Sequence, residues 1–410
     1  MLQSETIEQT APTIAGGRVL EYQPFDCDNH YYEAADAFTR HVPKAMQPRC
    51  VQWCEIEGRR YHVVGGKVSH AVANPTWNPI AKPGALYDYF RGNVSDRSPA
   101  EMLRDREPLP AEYHDRDARV ARLDEQGIRS VWLFPTLGVL YEELLKHDIE
   151  AVKTQFRAFN RWVDEDWGCN YRDRIYAAPY ISLCDVDFAI EELEWALDRD
   201  ARTIVLRPAA VWTALGPRSP GDELFDPFWS RVNEAGVTVV IHAGDSGYSS
   251  QGYAEDGFGG NIGSGKPKPS IKSFAIERAA QDWLMTLTLE RMFERFPNLR
   301  IASIENGSTF LPDLFRKLRS QAAKSPGWFT EDPTESFREH VWINPFWEDD
   351  VHEVVDHMGP DRVIFGSDWP HIEGLPNPLD YVGELDRFDD DATRKILLEN
   401  TVGLNERRPV

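Results

Sequence analysis

Short β-branched runs alternate with amphipathic stretches from about Asp115 to the end of the sequence. This alternation is typical of repeated strand and helix units that assemble a parallel sheet. With one run nearer the N-terminus, it predicts eight strands, at residues 21–28, 130–134, 175–178, 203–206, 238–242, 300–305, 341–344 and 363–365. Eight such units predict an α/β fold, the (β/α)8 TIM barrel, in which the strands form the barrel and the helices surround it.

Helices are predicted where apolar residues recur with helical spacing between these strands. The clearest cover residues 117–126, 149–167, 187–199 and 226–235. Gly127 and Gly236 follow the first and the last of them. They predict helix ends there, because glycine readily adopts the left-handed conformation of a C-terminal cap. Asp185 precedes the third helix and is its predicted N-cap.

Two segments are longer than a minimal barrel requires. Residues 42–115 contain two β-rich runs, 51–57 and 60–64, which are joined through Gly58 as a predicted β-hairpin. We expect this insertion to form a lid over the barrel mouth. Residues 244–270 are too long for a plain connector and are expected to form a loop that shapes a substrate pocket. No low-complexity linker divides the chain, which predicts a single domain over residues 1–410.

Charge and composition exclude several classes of function. The 410 residues carry a formal net charge of −22, which disfavours nucleic-acid and anionic membrane partners. The sequence has no run of 18 apolar residues and no secretory signal pattern, so the expected location is the cytoplasm. The five cysteines are expected to be reduced thiols. Cys50 and Cys54 form the only close pair, and without a second pair they do not predict a zinc site.

Side chains that can bind metal ions lie at the ends of four predicted strands. Asp28 ends predicted strand one and His30 lies two residues beyond it. His242 ends strand five, Glu305 ends strand six and Asp368 follows strand eight. Alone, each is better explained as a hydrogen-bonded structural residue. Because the ends of barrel strands converge on one mouth, their coincidence on four strands predicts a metal site.

The types of ligand bear on the metal. Asp28, Glu305 and Asp368 give the predicted site a formal charge of −3 and are also its predicted catalytic residues. A single divalent ion would leave a buried negative charge, which is costly, whereas two ions would leave a net charge of about +1. Imidazole and carboxylate ligands without thiolate suit iron or manganese better than structural zinc, although zinc also fits.

Two further residues near this site have alternative interpretations. His371 follows Asp368 by three residues and is predicted as a sixth metal ligand or a proton shuttle. Asp26 either orients His30 or forms a hydrogen bond to the backbone at the base of the barrel.

Candidate substrate contacts are fewer and weaker. Arg207, at the end of strand four, pairs with a substrate carboxylate or a metal-site carboxylate, or else belongs to a buried structural ion pair. Asp245 and Tyr248, in the loop after strand five, are predicted to touch substrate. The compact basic groups at residues 59–60 and 266–268 either meet substrate phosphates or are solvated surface charge.

These motifs resemble the amidohydrolase superfamily, in particular its branch of decarboxylases and hydratases. The segment 26–30, with sequence DCDNH, corresponds to the family's opening D-x-H-x-H pattern, with Asp28 in place of the first histidine. His242 and Asp368 match the family's metal ligands on strands five and eight. Glu305 stands where many members have histidine. Arg207 stands where members with two metals often have a carboxylated lysine, so that bridging ligand is missing here.

As a set, the motifs are most similar to a subgroup of this superfamily that is represented by the nonheme diiron monooxygenase of platensimycin and platencin diterpenoid biosynthesis. The segments that carry this resemblance are 25–32, 74–76, 82–85, 242–248, 305–308 and 365–371. The resemblance implies two iron ions held by Asp28, His30, His242, Glu305, Asp368 and His371. It also implies O2 as cosubstrate and hydroxylation of a hydrophobic acyl-CoA-like substrate.

The sequence contains no flavin or nicotinamide fingerprint, so an external electron donor, such as a separate reductase, is expected. Barrels of this kind commonly form homodimers, and one is expected here. The main alternative is a mononuclear zinc- or manganese-dependent hydrolase or decarboxylase of the parent family. A third is a degenerate barrel that binds a ligand without turnover.

Overall fold

A computed structural model describes residues 13–72, 74–93, 96–248, 271–346 and 349–410. Its strands are β1 (Thr13–Ala15), β2 (Arg18–Leu20), β3 (Phe25–Tyr31), β4 (Val51–Ile56), β5 (Arg59–Val64), β6 (Lys67–Val68), β7 (Ile80–Ala81), β8 (Arg106–Glu107), β9 (Ser130–Pro135), β10 (Ile175–Ala177), β11 (Thr203–Leu206), β12 (Val211–Thr213), β13 (Gly216–Arg218), β14 (Thr238–His242), β15 (Arg300–Ile304) and β16 (Val341–Ile343).

The α-helices are α1 (Tyr87–Phe90), α2 (Pro99–Met102), α3 (Arg116–Gln126), α4 (Tyr141–Leu145), α5 (Ile149–Asp166), α6 (Val186–Leu197), α7 (Asp226–Ala235), α8 (Ala275–Leu289), α9 (Met292–Arg295), α10 (Leu311–Lys324), α11 (Pro333–His340), α12 (Val351–Met358), α13 (Asp390–Arg394) and α14 (Asn400–Asn405). In the described ranges, no helix is both long enough and apolar enough to cross a membrane.

Parallel pairing builds the barrel from two sheets, β10-β9-β3 and β11-β14-β15-β16. A bridge between Tyr180 and Val205 connects β10 to β11. The segment 363–369 supplies the eighth strand, since it bridges β16 through Val363 and β3 through Trp369. The protein therefore has the (β/α)8 fold that the alternating pattern predicts.

The eighth strand differs from its prediction. Residues 363–365 are expected to form a regular strand, but this segment has only isolated bridges at Val363 and Trp369. Within this segment the backbone N–H of Phe365 donates to the carbonyl oxygen of Ile396, outside the sheet, over 3.1 Å. Just beyond it, the N–H of Ser367 donates to Oδ1 of Asp26 over 2.9 Å. The side chain of Asp26 thus replaces part of the backbone ladder where the barrel closes.

Strand and helix ends mostly follow the local signals. The first barrel strand begins at Phe25 rather than at residue 21, directly after Pro24, which has no N–H for a ladder. Gly127 and Gly236 end α3 and α7 in the left-handed conformation, with φ of 70° and 59°. Asp185 caps α6 by accepting from the backbone N–H of Phe188.

The predicted hairpin in the insertion is present. Strands β4 and β5 pair antiparallel, with Val51 opposite Val64, and β6 adds a short third strand. The turn uses Glu57 and Gly58 with φ of 51° and 75°. Val51 and Val64 are fully buried in the same hydrophobic core as the barrel strands. Most of the predicted loop 244–270 lies outside the described residues, which stop at residue 248 and resume at 271.

Candidate metal centre

Six side chains from four places in the barrel meet at the carboxyl ends of its strands. His242 is the last residue of β14, and Glu305 follows β15 directly. Their donor atoms form two overlapping groups, each within 4.8 Å: Asp28, His30, His242 and Glu305, and His30, Glu305, Asp368 and His371. All six side chains are buried. The structure thus brings together every residue predicted as a metal ligand; we call them the ligand cluster.

The distances within the cluster centre on the two histidines. Nε2 of His30 lies 3.3 Å from Oδ1 of Asp28 and 3.4 Å from Oδ1 of Asp368. Nε2 of His242 lies 3.4 Å from Oδ1 of Asp28 and 3.3 Å from Oε2 of Glu305. The remaining contact, from Nε2 of His30 to Oε2 of Glu305, is 3.8 Å long.

Four of these five distances fit ligands of one metal ion better than hydrogen bonds. An N–H···O hydrogen bond spans about 2.7 to 3.2 Å. Two atoms bonded to one ion at about 2.1 Å, in octahedral or tetrahedral geometry, lie about 3.0 to 3.4 Å apart. Among the described residues, both ring nitrogens of His30 and the Oδ2 atoms of Asp28 and Asp368 are buried without a hydrogen-bond partner. Buried donors and acceptors in this state are rare, and a bound cation would satisfy them.

Hydrogen bonds from outside the cluster orient two of its histidines. Nδ1 of His242 lies 2.9 Å from the carbonyl oxygen of Ala243, so it carries the proton and leaves the Nε2 lone pair facing the cluster. Nε2 of His371 lies 3.0 Å from Oγ1 of Thr136, so Nδ1 of His371 faces Oδ1 of Asp368 at 2.7 Å. Imidazole rings held in this way are typical of metal ligands.

Backbone strain is concentrated at two of the carboxylates. Glu305 and Asp368 have φ of 58° and 56°, in the left-handed region. Each such residue costs about 1 to 3 kcal/mol and persists where the surrounding structure enforces it. Here the strained backbone turns both side chains inward from the ends of their strands.

Burial shapes the electrostatics of the cluster. It raises the pKa of Glu305 and of Asp368 well above their usual range, with a further rise from the negative charges of Asp28 and Glu305 respectively. Burial also lowers the pKa of His30 to about 4, so this imidazole is neutral near pH 7 and can bind a metal. Among the described residues, no Lys or Arg forms an ion pair with the three carboxylates. The cluster therefore lacks a positive charge.

Asp26 acts on the backbone and not on His30. Its Oδ1 accepts from the N–H groups of Asp28 and Ser367, at 3.1 and 2.9 Å, and its Oδ2 accepts from Oγ of Ser367 at 2.5 Å. Of the two interpretations offered by the sequence, the backbone role is the one the structure shows. Asp26 holds the strand ends that carry Asp28 and Asp368.

Arg119 supports the site from behind and is missed by the sequence analysis. It is fully buried, donates to the carbonyl oxygen of His30 over 2.7 Å and also donates to Oδ1 of Asn29. Its guanidinium lies 4.7 Å from the ring centre of Trp369. Its place in the helix could have identified it, because Arg119 lies on the buried face of α3 together with Leu123 and Gln126.

Arg207 does not contact the ligand cluster. Its Nη1 donates to Oε2 of Glu143 over 2.6 Å and to the carbonyl oxygen of Asp245 over 3.2 Å, and its Nε lies 3.7 Å from Oε2 of Glu142. The expectation that it pairs with a metal-site carboxylate is therefore wrong, because α4 supplies two nearer carboxylates. The structure places Arg207 in a buried ion pair, and its contact with a substrate carboxylate stays a prediction.

Asp245 and Tyr248 are engaged with their own surroundings. Oδ1 of Asp245 accepts from the N–H of Gly247 over 2.9 Å. Tyr248 donates its hydroxyl proton to Asp282 on α8. Neither lines the cavity above the ligand cluster in the described part of the chain, so their role as substrate contacts stays a prediction.

A cavity of about 580 Å³ opens above the ligand cluster. His30, His242, Glu305 and His371 form its floor, and its walls are mainly apolar. The apolar and aromatic wall residues include Tyr32, Tyr61, Val72, Trp77, Ile80, Ala81, Leu103, Val139, Leu140 and Ile372. Several of them belong to the insertion at residues 42–115, which therefore contributes to the cavity wall; its role as a lid stays a prediction. A cavity of this size and lining suits a small apolar or aromatic ligand.

Glu373 adds a carboxylate to the wall of this cavity, two residues after His371. Burial raises its pKa to about 7. The sequence analysis considers residues at strand ends and therefore misses Glu373, although it follows the predicted ligand His371 by only two residues.

Comparison with known proteins gives the chain's relationships. The family described as amidohydrolase matches residues 26–403. An amidohydrolase from Mycobacterium avium subsp. paratuberculosis K-10 is 42% identical, with a TM-score of 0.88 over 94% of this chain and 100% of that chain. No curated protein matches the chain significantly.

Decarboxylases are similar in structure at lower identity. A dihydroxybenzoic acid decarboxylase from Polaromonas sp. JS666, with bound manganese and 2-nitroresorcinol, is 17% identical, with a TM-score of 0.56 over 78% of this chain and 93% of that chain. The 5-carboxyvanillate decarboxylase of Sphingomonas paucimobilis is 17% identical, with a TM-score of 0.55 over 81% of this chain and 98% of that chain. At these identities the likeness is one of fold.

Proposed function

The chain belongs to the amidohydrolase family, and from this premise we propose that it is a metal-dependent hydrolase or decarboxylase of an apolar, preferably aromatic, carboxylic acid derivative. One observation carries the proposal: six convergent buried ligand side chains, three of them carboxylates without a cation, form the floor of an apolar cavity. This assignment corresponds to the alternative interpretation of the sequence.

Different residues of the chain would bind the metal, exclude water and handle protons. Asp28, His30, His242, Glu305, Asp368 and His371 would hold the metal, and the apolar wall would exclude water from it. A divalent ion held there would supply a Lewis acid that polarises a carboxylate, a carbonyl or a water molecule. The Glu373 carboxyl on the wall is the group placed to hold or move a proton. Nδ1 of His371, 2.7 Å from Asp368, would do so only in a site where it does not bind the metal.

The structural neighbours support this class of reaction. Two of them act, by name, on aromatic carboxylic acids, and one contains manganese. The aromatic residues Tyr32, Tyr61 and Trp77 in the cavity wall suit such substrates.

The test combines metal content with turnover. Protein produced without a chelating tag is analysed by elemental mass spectrometry and then assayed for loss of carboxylate from hydroxybenzoates and for hydrolysis of aromatic amides and esters. We expect manganese or zinc at about one ion per chain and turnover in one of the two assays. Metal-free protein of full activity would refute the proposal.

A second candidate function is the nonheme diiron monooxygenase to which the motifs are similar. One observation favours it: the two donor groups share His30 and Glu305, so the cluster offers ligands on both sides of these residues. In this alternative the enzyme would hydroxylate an unactivated C–H of a hydrophobic, acyl-CoA-like substrate of the diterpenoid type. It would use two iron ions, O2 and electrons from a separate reductase. Homodimer formation and cytoplasmic location stay proposals for either function.

Glu305→His separates the two candidates. A hydrolase or decarboxylase with one metal should tolerate the histidine that many family members have at this position. A diiron centre should lose iron and O2 consumption in this variant. Two irons per chain in the parent protein, with O2 consumed in the presence of a reductant and an acyl-CoA, would favour the second candidate.

A further inference from the structure

A second recess opens beside the cavity above the ligand cluster. It has a volume of about 510 Å³ and is lined by Gly58, Arg59, Arg60, Asn74, Thr76 and Arg106. Arg59, Asn74 and Arg106 also line the cavity that reaches His30 and Glu305. One continuous space therefore leads from the ligand cluster, past apolar walls, to a rim that carries three arginines; we call this rim the arginine recess.

No acidic side chain of the described residues lines the arginine recess, although the chain carries a net charge of −22. Within the described ranges, neither Arg59 nor Arg106 forms an ion pair, and all three arginine side chains are exposed. The guanidinium of Arg106 donates through Nε to the carbonyl oxygen of Leu103 over 3.0 Å. Arg60 lies opposite Glu55 in the hairpin, and its guanidinium lies 4.2 Å from the ring centre of Trp53. Of the three arginines, it is therefore the least available to bind an anion.

We propose that the arginine recess binds a phosphate group at the far end of the substrate whose apolar part lies in the cavity. This inference rests on the proposed function, because it takes the cavity as the substrate site. Guanidinium groups present paired N–H donors that match the oxygens of a phosphate. A recess of about 510 Å³ is also far larger than a single carboxylate requires. The substrate class is thus an elongated organic phosphate with an apolar, acid-derived head.

Titration calorimetry with inorganic pyrophosphate tests the recess without requiring turnover. The metal-loaded protein is compared with Arg59→Glu/Arg106→Glu and with the control Arg104→Glu, which changes an exposed arginine two residues from Arg106 that lines neither cavity. We expect the double variant to bind pyrophosphate at least 10-fold more weakly, a loss of about 1.4 kcal/mol. The control should stay within about 2-fold, and binding should weaken as salt rises.

Two further arms make the outcome decisive. Succinate, a dicarboxylate, should bind the parent more weakly than pyrophosphate. Asp368→Asn, with circular dichroism as a check of folding, should bind pyrophosphate as the parent does. Equal affinity of the parent and the double variant, equal affinity for succinate, or loss of binding in Asp368→Asn would overturn the proposal.

The proposed function is judged separately. If the recess fails these tests while the parent protein still holds metal and turns over a small aromatic acid, only the phosphate assignment falls. If metal content and turnover fail while pyrophosphate binding still depends on Arg59 and Arg106, the anion site stands without the proposed reaction.

Discussion

Two clusters of buried charge lie at the carboxyl ends of the barrel strands, and only one of them contains its own cation. In the arginine–glutamate cluster, Arg207 contacts Glu142 and Glu143, and all three side chains are less than a tenth exposed. Glu142 also accepts from the hydroxyl groups of Tyr180 and Ser182, at 2.5 Å each. This cluster is neutralised and hydrogen-bonded by the protein itself.

The ligand cluster has the opposite character. Its three carboxylates have no arginine or lysine partner in the described part of the chain, and several of its polar atoms lack hydrogen bonds. Because an uncompensated buried charge is unstable, this cluster is complete only with a cation from outside. The comparison teaches that the absence of an internal partner, more than burial, distinguishes a binding site from a structural ion pair.

The largest effect is expected from changing a ligand. Asp368→Asn keeps the shape of the side chain and removes its charge, so we expect loss of bound metal and a fall in kcat/KM of about 1000-fold, or about 4 kcal/mol. Elemental analysis and steady-state kinetics measure both. The matched control is Asp282→Asn, which changes a carboxylate outside the cluster; if both variants lost equal activity, the comparison would fail.

Removing the cation of the other cluster should affect stability instead. Arg207→Met leaves Glu142 buried without its cation, whereas Glu143 keeps its ion pair with Lys146. We expect the free energy of unfolding to fall by about 3 to 5 kcal/mol. Denaturant unfolding measures this loss. Adding Glu142→Gln and Glu143→Gln should restore part of it. Metal bound per folded chain should stay at the parent level; its loss in Arg207→Met would show that the two clusters are not independent.

Arg119 tests how far the ligand cluster depends on its support. Its hydrogen bonds hold the backbone of His30 and the side chain of Asn29. We expect Arg119→Met to weaken metal affinity by about 10- to 100-fold, as the loss of supporting hydrogen bonds does in other metal sites. Competition with a metal-binding dye measures the affinity. Arg122→Met, one turn further along the same helix face, is the control and should change it little.

A smaller effect, on the pH dependence of stability, is expected from an uncharged buried pair, His62 and Tyr141. Nδ1 of His62 lies 2.6 Å from the Tyr141 hydroxyl, and burial lowers the pKa of His62 to about 3. Between that value and the usual pKa near 6.5, the unfolded chain binds a proton that the folded protein does not, so stability falls as the pH falls.

Between pH 7 and pH 5 this histidine should cost up to about 2 kcal/mol of unfolding free energy. The measurement is the difference in pH dependence between the parent and His62→Phe, followed by urea unfolding. Parallel curves for the two proteins would show that His62 is not responsible.

Much of the fold is predictable because its signals are local. Strand periodicity, the glycines that end α3 and α7, and the cap at Asp185 all act within a few residues. The eighth strand is less predictable, since the contact between Ser367 and Asp26 joins residues 341 apart in sequence.

The ligand positions are predictable for a topological reason. His242 and Glu305 each lie at the end of an apolar run, Asp28 ends the predicted first strand, and a barrel brings such strand ends together. The partners of Arg207 are not predictable in this way, because they lie on α4, a helix that the sequence analysis does not identify. Arg119 is hidden for a similar reason: its role depends on how α3 packs beneath His30.

Thermal unfolding of chelator-treated protein, with and without Mn²⁺, tests the central claim that the ligand cluster lacks a cation. We predict that Mn²⁺ raises the Tm of the parent protein. We also predict that Glu305→Gln raises the Tm of the metal-free protein and abolishes the response to Mn²⁺. The raised pKa of buried Glu305 lowers stability at neutral pH, and the neutral amide removes this cost. A parent Tm that does not respond to Mn²⁺ or Zn²⁺, together with a lower Tm in Glu305→Gln, would contradict the account.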